Sequence, residues 1–151
     1  MPGAGLFLSF DGVLHNAGIE RMPAAGCRKA GPEHFEWAYD LLALLGPRRV
    51  PLAILSRWRL LREPYELLAL MPHHLASRVA GVAVPDLPKP LAAAELASRL
   101  GWSSWASLES ESGAFEPGSP RLILCDPSLG VNDPAARGRL ADWLANLGPD
   151  A

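Results

Sequence analysis

The chain of 151 residues contains only two cysteines, Cys27 and Cys125, far apart and outside any CxxC pair. Neither a disulfide framework nor a zinc site is therefore indicated, and a reducing cytoplasm is the default location. Charge of either sign is not in surplus: 14 Lys and Arg face 16 Asp and Glu, for a formal net charge of −2. That balance excludes a global field drawing the protein to nucleic acid or to an anionic membrane, so any basic site must be local. No apolar run approaches the roughly 18 residues that a spanning helix needs. The opening MPGAGLFLSF carries no basic segment ahead of its short apolar run, so neither export signal nor membrane anchor is expected. No internal repeat is found, which argues against a solenoid.

What remains is a composition that folds. Hydrophobic residues make up 49% and charged residues 20% of the chain, too apolar for a disordered protein and too mixed for a membrane one. The length suits one domain over residues 1–151, large enough to bury a core without covalent staples. An Ala-, Leu- and Arg-rich composition fits a bacterial source of high GC content.

Short aliphatic runs alternate with longer segments of helical spacing. Residues 6–10 form an apolar strand ending in Asp11-Gly12, and residues 18–31, rich in Gly, Ala and Pro, read as a loop. A helix follows, with Pro32 in its first turn, Glu33 and Glu36 at the positive end of the dipole, and a stripe of Phe35, Ala38, Leu42 and Leu45 before Gly46-Pro47. Residues 50–55 are a continuous apolar run, as in a parallel strand covered on both faces. Residues 58–71 are helical in composition and divided at Pro64. The His73-His74 pair is expected in a surface loop, with no third ligand at metal spacing. Further strands are expected at 79–84, 105–108 and 122–125, a helix at 91–100 and a last helix at 134–147. Residues 113–120, rich in Pro, Gly and Ser, read as a connection and not as a linker between domains.

This order predicts an α/β fold: a Rossmann-like, mostly parallel, five-stranded sheet with helices on both faces. Ligands on such sheets bind beyond the C-terminal ends of the strands, which directs attention to the residues there. The first such end reads Ser9-Phe10-Asp11-Gly12-Val13-Leu14-His15, the second Leu55-Ser56-Arg57-Trp58-Arg59, and the fourth Leu108-Glu109-Ser110-Glu111-Ser112. Each has a plain structural alternative. Asp11-Gly12 suits a tight turn, Trp58 could pack a helix onto the sheet while Arg59 snorkels outward, and Glu109 with Glu111 could be a solvated acidic loop. Arg57 and Arg62 read as surface residues.

In this order the segments resemble the haloacid dehalogenase (HAD) phosphatase superfamily. The Asp-Gly-Val-Leu-His start, the Ser-x-Trp-Arg after the second strand, the acidic cluster and the late Asp126 with Gly130 are most similar to the HAD domain of Swiss Army knife RNA-repair proteins and their stand-alone relatives. The resemblance covers most of the chain. It implies a HAD-like fold without a large cap, since residues 15–49 hold room for only one helix and a loop, and therefore an open site.

The family attacks phosphorus with the first aspartate of its signature and uses the second as general acid and base. Here Ser9 stands in the nucleophile position and Asp11 in the second. The resemblance implies Ser56, Arg59 and Lys89 as holders of a phosphoryl group, and Asp11, Glu109 and Glu111 as holders of Mg2+. Glutamates replace the family's aspartates at the last two, so Mg2+ could be held there only through rearrangement or a bridging water. A serine hydroxyl is almost wholly protonated at neutral pH, and attack through it would leave a phosphoserine ester in place of a labile aspartyl-phosphate. The expectation is a degenerate HAD-fold protein, a pseudo-phosphatase with weak or no activity and a binding or regulatory role. One alternative is an active metal-dependent phosphohydrolase using Asp11. Another is a protein-interaction domain without a phosphate pocket. The partners implied are a phosphorylated small molecule or a nucleic-acid end.

Overall fold

A computed structural model describes residues 3–19, 22–23 and 33–147 of the chain. Five strands, β1 (Gly3–Leu8), β2 (Leu52–Ile54), β3 (Val79–Val82), β4 (Trp102–Glu109) and β5 (Leu122–Leu124), form one sheet in the order β3-β2-β1-β4-β5. Every pairing is parallel. The helices are α1 (Ala38–Leu45), α2 (Pro64–Leu70), α3 (His73–Ala76), α4 (Lys89–Leu100) and α5 (Pro134–Asn146), with 3-10 turns at Arg57–Leu60 and Gly130–Asn132. The expected α/β, Rossmann-like sheet with helices on both faces is therefore the observed architecture.

Two core layers follow from the pleat, which sends alternate side chains of a strand to opposite faces. Leu6 and Leu8 of β1, Leu52 and Ile54 of β2, and Ala106 and Leu108 of β4 join the layer filled by α1, α2, α3 and α5. Phe7, Ala53, Trp105 and Leu122 join the other, filled by Ala92, Ala93, Leu96 and Ala97 of α4. Phe7 sits edge-on between Trp102 and Trp105, with ring centroids 5.5 and 5.2 Å away. The indole of Trp102 lies directly over Gly5, where a Cβ would fall 2.3 Å from its ring atoms, so glycine is required for β1 and Trp102 to pack.

The structure corrects several expected boundaries. Helix α1 begins at Ala38, not in the first turn after Pro32, which lies outside the described residues. Phe35 adopts a positive φ of 59°, and the Trp37 N–H donates to the Leu14 carbonyl at 2.9 Å, so this stretch is tied to the turn that follows β1 before it can enter a helix. Leu41, not Leu42, completes the buried face of α1 with Ala38 and Leu45. His73 and His74 belong to the short helix α3 rather than a loop. Strand β4 starts at Trp102, earlier than expected, while β2 and β3 are shorter than the runs 50–55 and 79–84. Of the expected loop at 18–31, residues 20–21 and 24–31 lie outside the described part, as does Cys27. Among the described residues between β1 and β2, α1 is the one helix, and no described helix is long and apolar enough to cross a membrane.

Candidate functional site

Parallel order places the C-terminal ends of β1, β2 and β4 side by side, with the start of α4 above them. Leu8 is in register with Leu108, so the next residue of each chain segment, Ser9 and Glu109, face each other across that edge. The Ser9 hydroxyl donates to Glu109 Oε2 at 2.6 Å. Lys89, the first residue of α4, donates from Nζ to the same Oε2 at 2.6 Å and to Ser9 Oγ at 3.1 Å. The other carboxylate oxygen, Oε1, accepts the backbone N–H groups of Ser110 and Glu111 at 3.0 and 3.2 Å. Glu109 is only 1% exposed. Four donors therefore satisfy its four lone-pair directions, and the ammonium balances its charge.

Asp11 forms a second, separate network. Its Oδ1 accepts from His15 Nε2 at 2.8 Å, and Oδ2 accepts from Trp58 Nε1 at 3.2 Å and Arg57 Nε at 3.1 Å. The Nδ1 of the fully buried His15 accepts the Phe35 N–H at 3.2 Å, which fixes the tautomer that presents Nε2–H to Asp11. Burial pushes the Asp11 carboxyl up, but the hydrogen bonds from His15 and Trp58 and the Arg57 guanidinium outweigh it and hold the group below its ordinary value. The turn that aims Asp11 depends on Gly12: its φ is +73°, and a Cβ there would lie 2.4 Å from Ser110 Oγ, the hydroxyl that donates to the Asp11 carbonyl at 2.7 Å.

Between the networks lies a cavity of about 10 Å3 lined by Ser9, Asp11, Ser56, Arg57, Lys89 and Glu109, among others, room for about one water molecule. Ser56 caps the 3-10 turn by accepting the Trp58 N–H at 3.2 Å; among the described residues its own O–H has no acceptor. Arg59 does not line this cavity. It folds back and donates from Nε to the Val84 carbonyl, from Nη1 to those of Leu55 and Ser56, and from Nη2 to that of Leu87, all within 3.2 Å. The expected phosphate-holding arginine is thus a staple between the end of β2 and the β3–α4 loop. Arg59→Lys keeps the charge but not the fork, and is expected to lower stability by about 2 kcal/mol or more in denaturant unfolding.

The residues expected to hold Mg2+ do not fit it. Both oxygens of Glu109 and both of Asp11 are committed to protein donors, and Glu111, more than half exposed, reaches only toward Arg57 Nη1 at 4.0 Å. Among the described residues no three His, Cys, Asp or Glu side chains come together as a metal-holding group. Magnesium demands several unencumbered oxygens in near-octahedral array, and here a lysine ammonium sits on the one buried carboxylate. The late Asp126 is turned to solvent, its Oδ1 accepting from Ser128 N and Oγ. Burial pushes the Cys125 thiol up to about 12, so it offers neither nucleophile nor metal ligand.

Comparison of the chain with protein-family models, with curated proteins and with solved structures found no match. The chemistry of the site is therefore read from its own geometry. Ser9, Lys89 and Glu109 come together as one group; Asp11, Ser56 and the half-exposed Glu111 border the same cavity; Arg59 stands apart. Arg57, read from the sequence as a surface residue, is more than half exposed yet pairs with Asp11. Trp58 both packs, with Phe10 at 5.1 Å, and donates to Asp11. Its position two residues after Ser56 was the available signal.

Proposed function

We propose that this chain is a degenerate HAD-like protein, a pseudo-phosphatase whose site binds without turning over. The single observation that carries this reading is the Ser9 hydroxyl held between Lys89 and Glu109. Its proton is already committed to a carboxylate that an ammonium neutralises, which weakens that carboxylate as a base. Asp11, the general acid and base of the implied mechanism, has both oxygens occupied by the His15, Trp58 and Arg57 donors, which outweigh its burial and favour the ionised form over the protonated one that a general acid needs. Separate contacts thus oppose both halves of the phosphatase division of labour.

A phosphoryl oxygen still has donors to meet: the Ser56 O–H, the remaining N–H of Lys89, and Arg57, whose exposed side chain can swing from Asp11. Binding of phosphorylated small molecules or nucleic-acid ends at this strand-end edge is the role proposed. The experiment is thermal unfolding with inorganic phosphate and with p-nitrophenyl phosphate at fixed ionic strength. A saturable rise in Tm that Ser56→Ala and Arg57→Ala each reduce is the expected result. The small cavity volume favours one rival, a protein-interaction domain without a phosphate pocket. No rise with either ligand would establish that rival over the present reading.

A further inference from the structure

We infer that Lys89 is a built-in counter-ion standing where a divalent cation would otherwise be required, so that this strand-end site is independent of metal. A carboxylate taken out of water must be neutralised, by a metal or by a protein cation. At Glu109 the protein supplies that cation itself: Lys89 Nζ lies 2.6 Å from Oε2, and the ammonium is almost as enclosed as the carboxylate, with 12% of its side chain exposed. The remaining acceptor directions of Glu109 are filled by Ser9, Ser110 and Glu111 donors, so no lone pair is left facing the cavity.

Two other carboxylates line the cavity, and of these Glu111 is more than half exposed with Arg57 Nη1 4.0 Å away, while Asp11 offers no free oxygen. Asp11 carries its own cation, Arg57, together with the N–H donors of His15 and Trp58. A divalent ion entering the cavity would have to displace Lys89 and Arg57 and strip the Ser9 proton from Glu109, with only a neutral hydroxyl at position 9 to bind in return. Ser9 and Lys89 thus act as a pair: a hydroxyl adds no charge beside Glu109, so one ammonium suffices. The lysine is also placed by the fold, because Pro88 and Pro90 fix the start of α4 around it.

This inference concerns the same site and rests on its reading as one without phosphatase turnover, but the two fail separately. Metal-independent phosphate release would sink the functional reading alone, whereas metal binding without release would sink this one alone.

The test is thermal unfolding of the full chain in MgCl2 and MnCl2 against NaCl of equal ionic strength, for the native protein and for Lys89→Met. The native protein is expected to show no shift beyond the NaCl control. Lys89→Met leaves the Glu109 carboxylate without a cation, so it should melt lower, and Mg2+ or Mn2+ should recover part of the loss saturably. A saturable rise in the native protein, removed by Glu109→Gln, would overturn the inference, as would a Lys89→Met protein that melts with the native one and ignores both ions. If Lys89→Met does not fold in any of these salts, Lys89→Met/Glu109→Gln decides. With both charges removed it should fold without added cation, and its failure to do so would count against the counter-ion role.

Discussion

Glu109→Ala is expected to lower the unfolding free energy by about 3–5 kcal/mol, the cost typical of removing one partner from a buried ion pair. The loss has three sources: the Lys89 ammonium is stranded, the Ser9 hydroxyl loses its acceptor, and the N–H groups of Ser110 and Glu111 lose theirs. Glu109→Gln keeps the shape and one carbonyl acceptor, so it should cost less, about 1–3 kcal/mol. Urea unfolding at neutral pH measures both. Equal, near-zero costs would mean that Glu109 is a solvated loop residue and that the network is not formed.

Trp58→Ala is expected to cost about 3–5 kcal/mol, as for other buried aromatic truncations. Its ring lies among Phe10, His15 and Phe35, with centroids between 5.1 and 5.7 Å away. Trp58→Phe retains most of that packing and removes the Nε1 donor to Asp11, for about 1–2 kcal/mol. The two variants also separate in acid. The folded carboxyl of Asp11 lies below its unfolded value, so its contribution to stability is fully present above the unfolded carboxylate pKa and is lost as pH falls through the lower folded one. Without the Trp58 donor the folded value moves back toward the ordinary one, so in Trp58→Phe the acid loss attributable to Asp11 should begin at the same pH, be complete at a higher pH and be smaller. Asp11→Asn should remove this part of the acid limb altogether. Unfolding followed by far-UV circular dichroism between neutral pH and strong acid makes the comparison.

The fold was legible because its signals are local. Apolar runs of strand length, separated by helical spacing, specify a parallel sheet, and the strand ends then locate Ser9, Asp11 and Ser56 in chain order. Lys89 was singled out by the family resemblance alone, just ahead of the helix expected at 91–100, and the flanking prolines hid both its place as the first residue of α4 and which way it would reach. Other features depend on contacts between segments distant in sequence. Arg59 turns inward because unpaired carbonyls at Val84 and Leu87 meet it there, which nothing near residue 59 announces. Phe35 leaves the helical region because His15, twenty residues earlier, accepts its N–H, and α1 starts late in consequence. Glu109 and Glu111 look alike as a pair, yet one ends β4 pointing into the buried edge and the other lies beyond it in solvent. The solvated-loop reading suits Glu111 and fails for Glu109, because only the partners waiting just past β1 and at the start of α4 distinguish them.

The central claim is that Ser9, Lys89 and Glu109 close the site against phosphoryl-transfer turnover. Its most direct test is release of phosphate from p-nitrophenyl phosphate by the full chain, with and without Mg2+, alongside Asp11→Asn. The account predicts release indistinguishable from the blank for both proteins under both conditions. Mg2+-dependent release by the native protein, abolished in Asp11→Asn, would contradict it and establish a working phosphohydrolase.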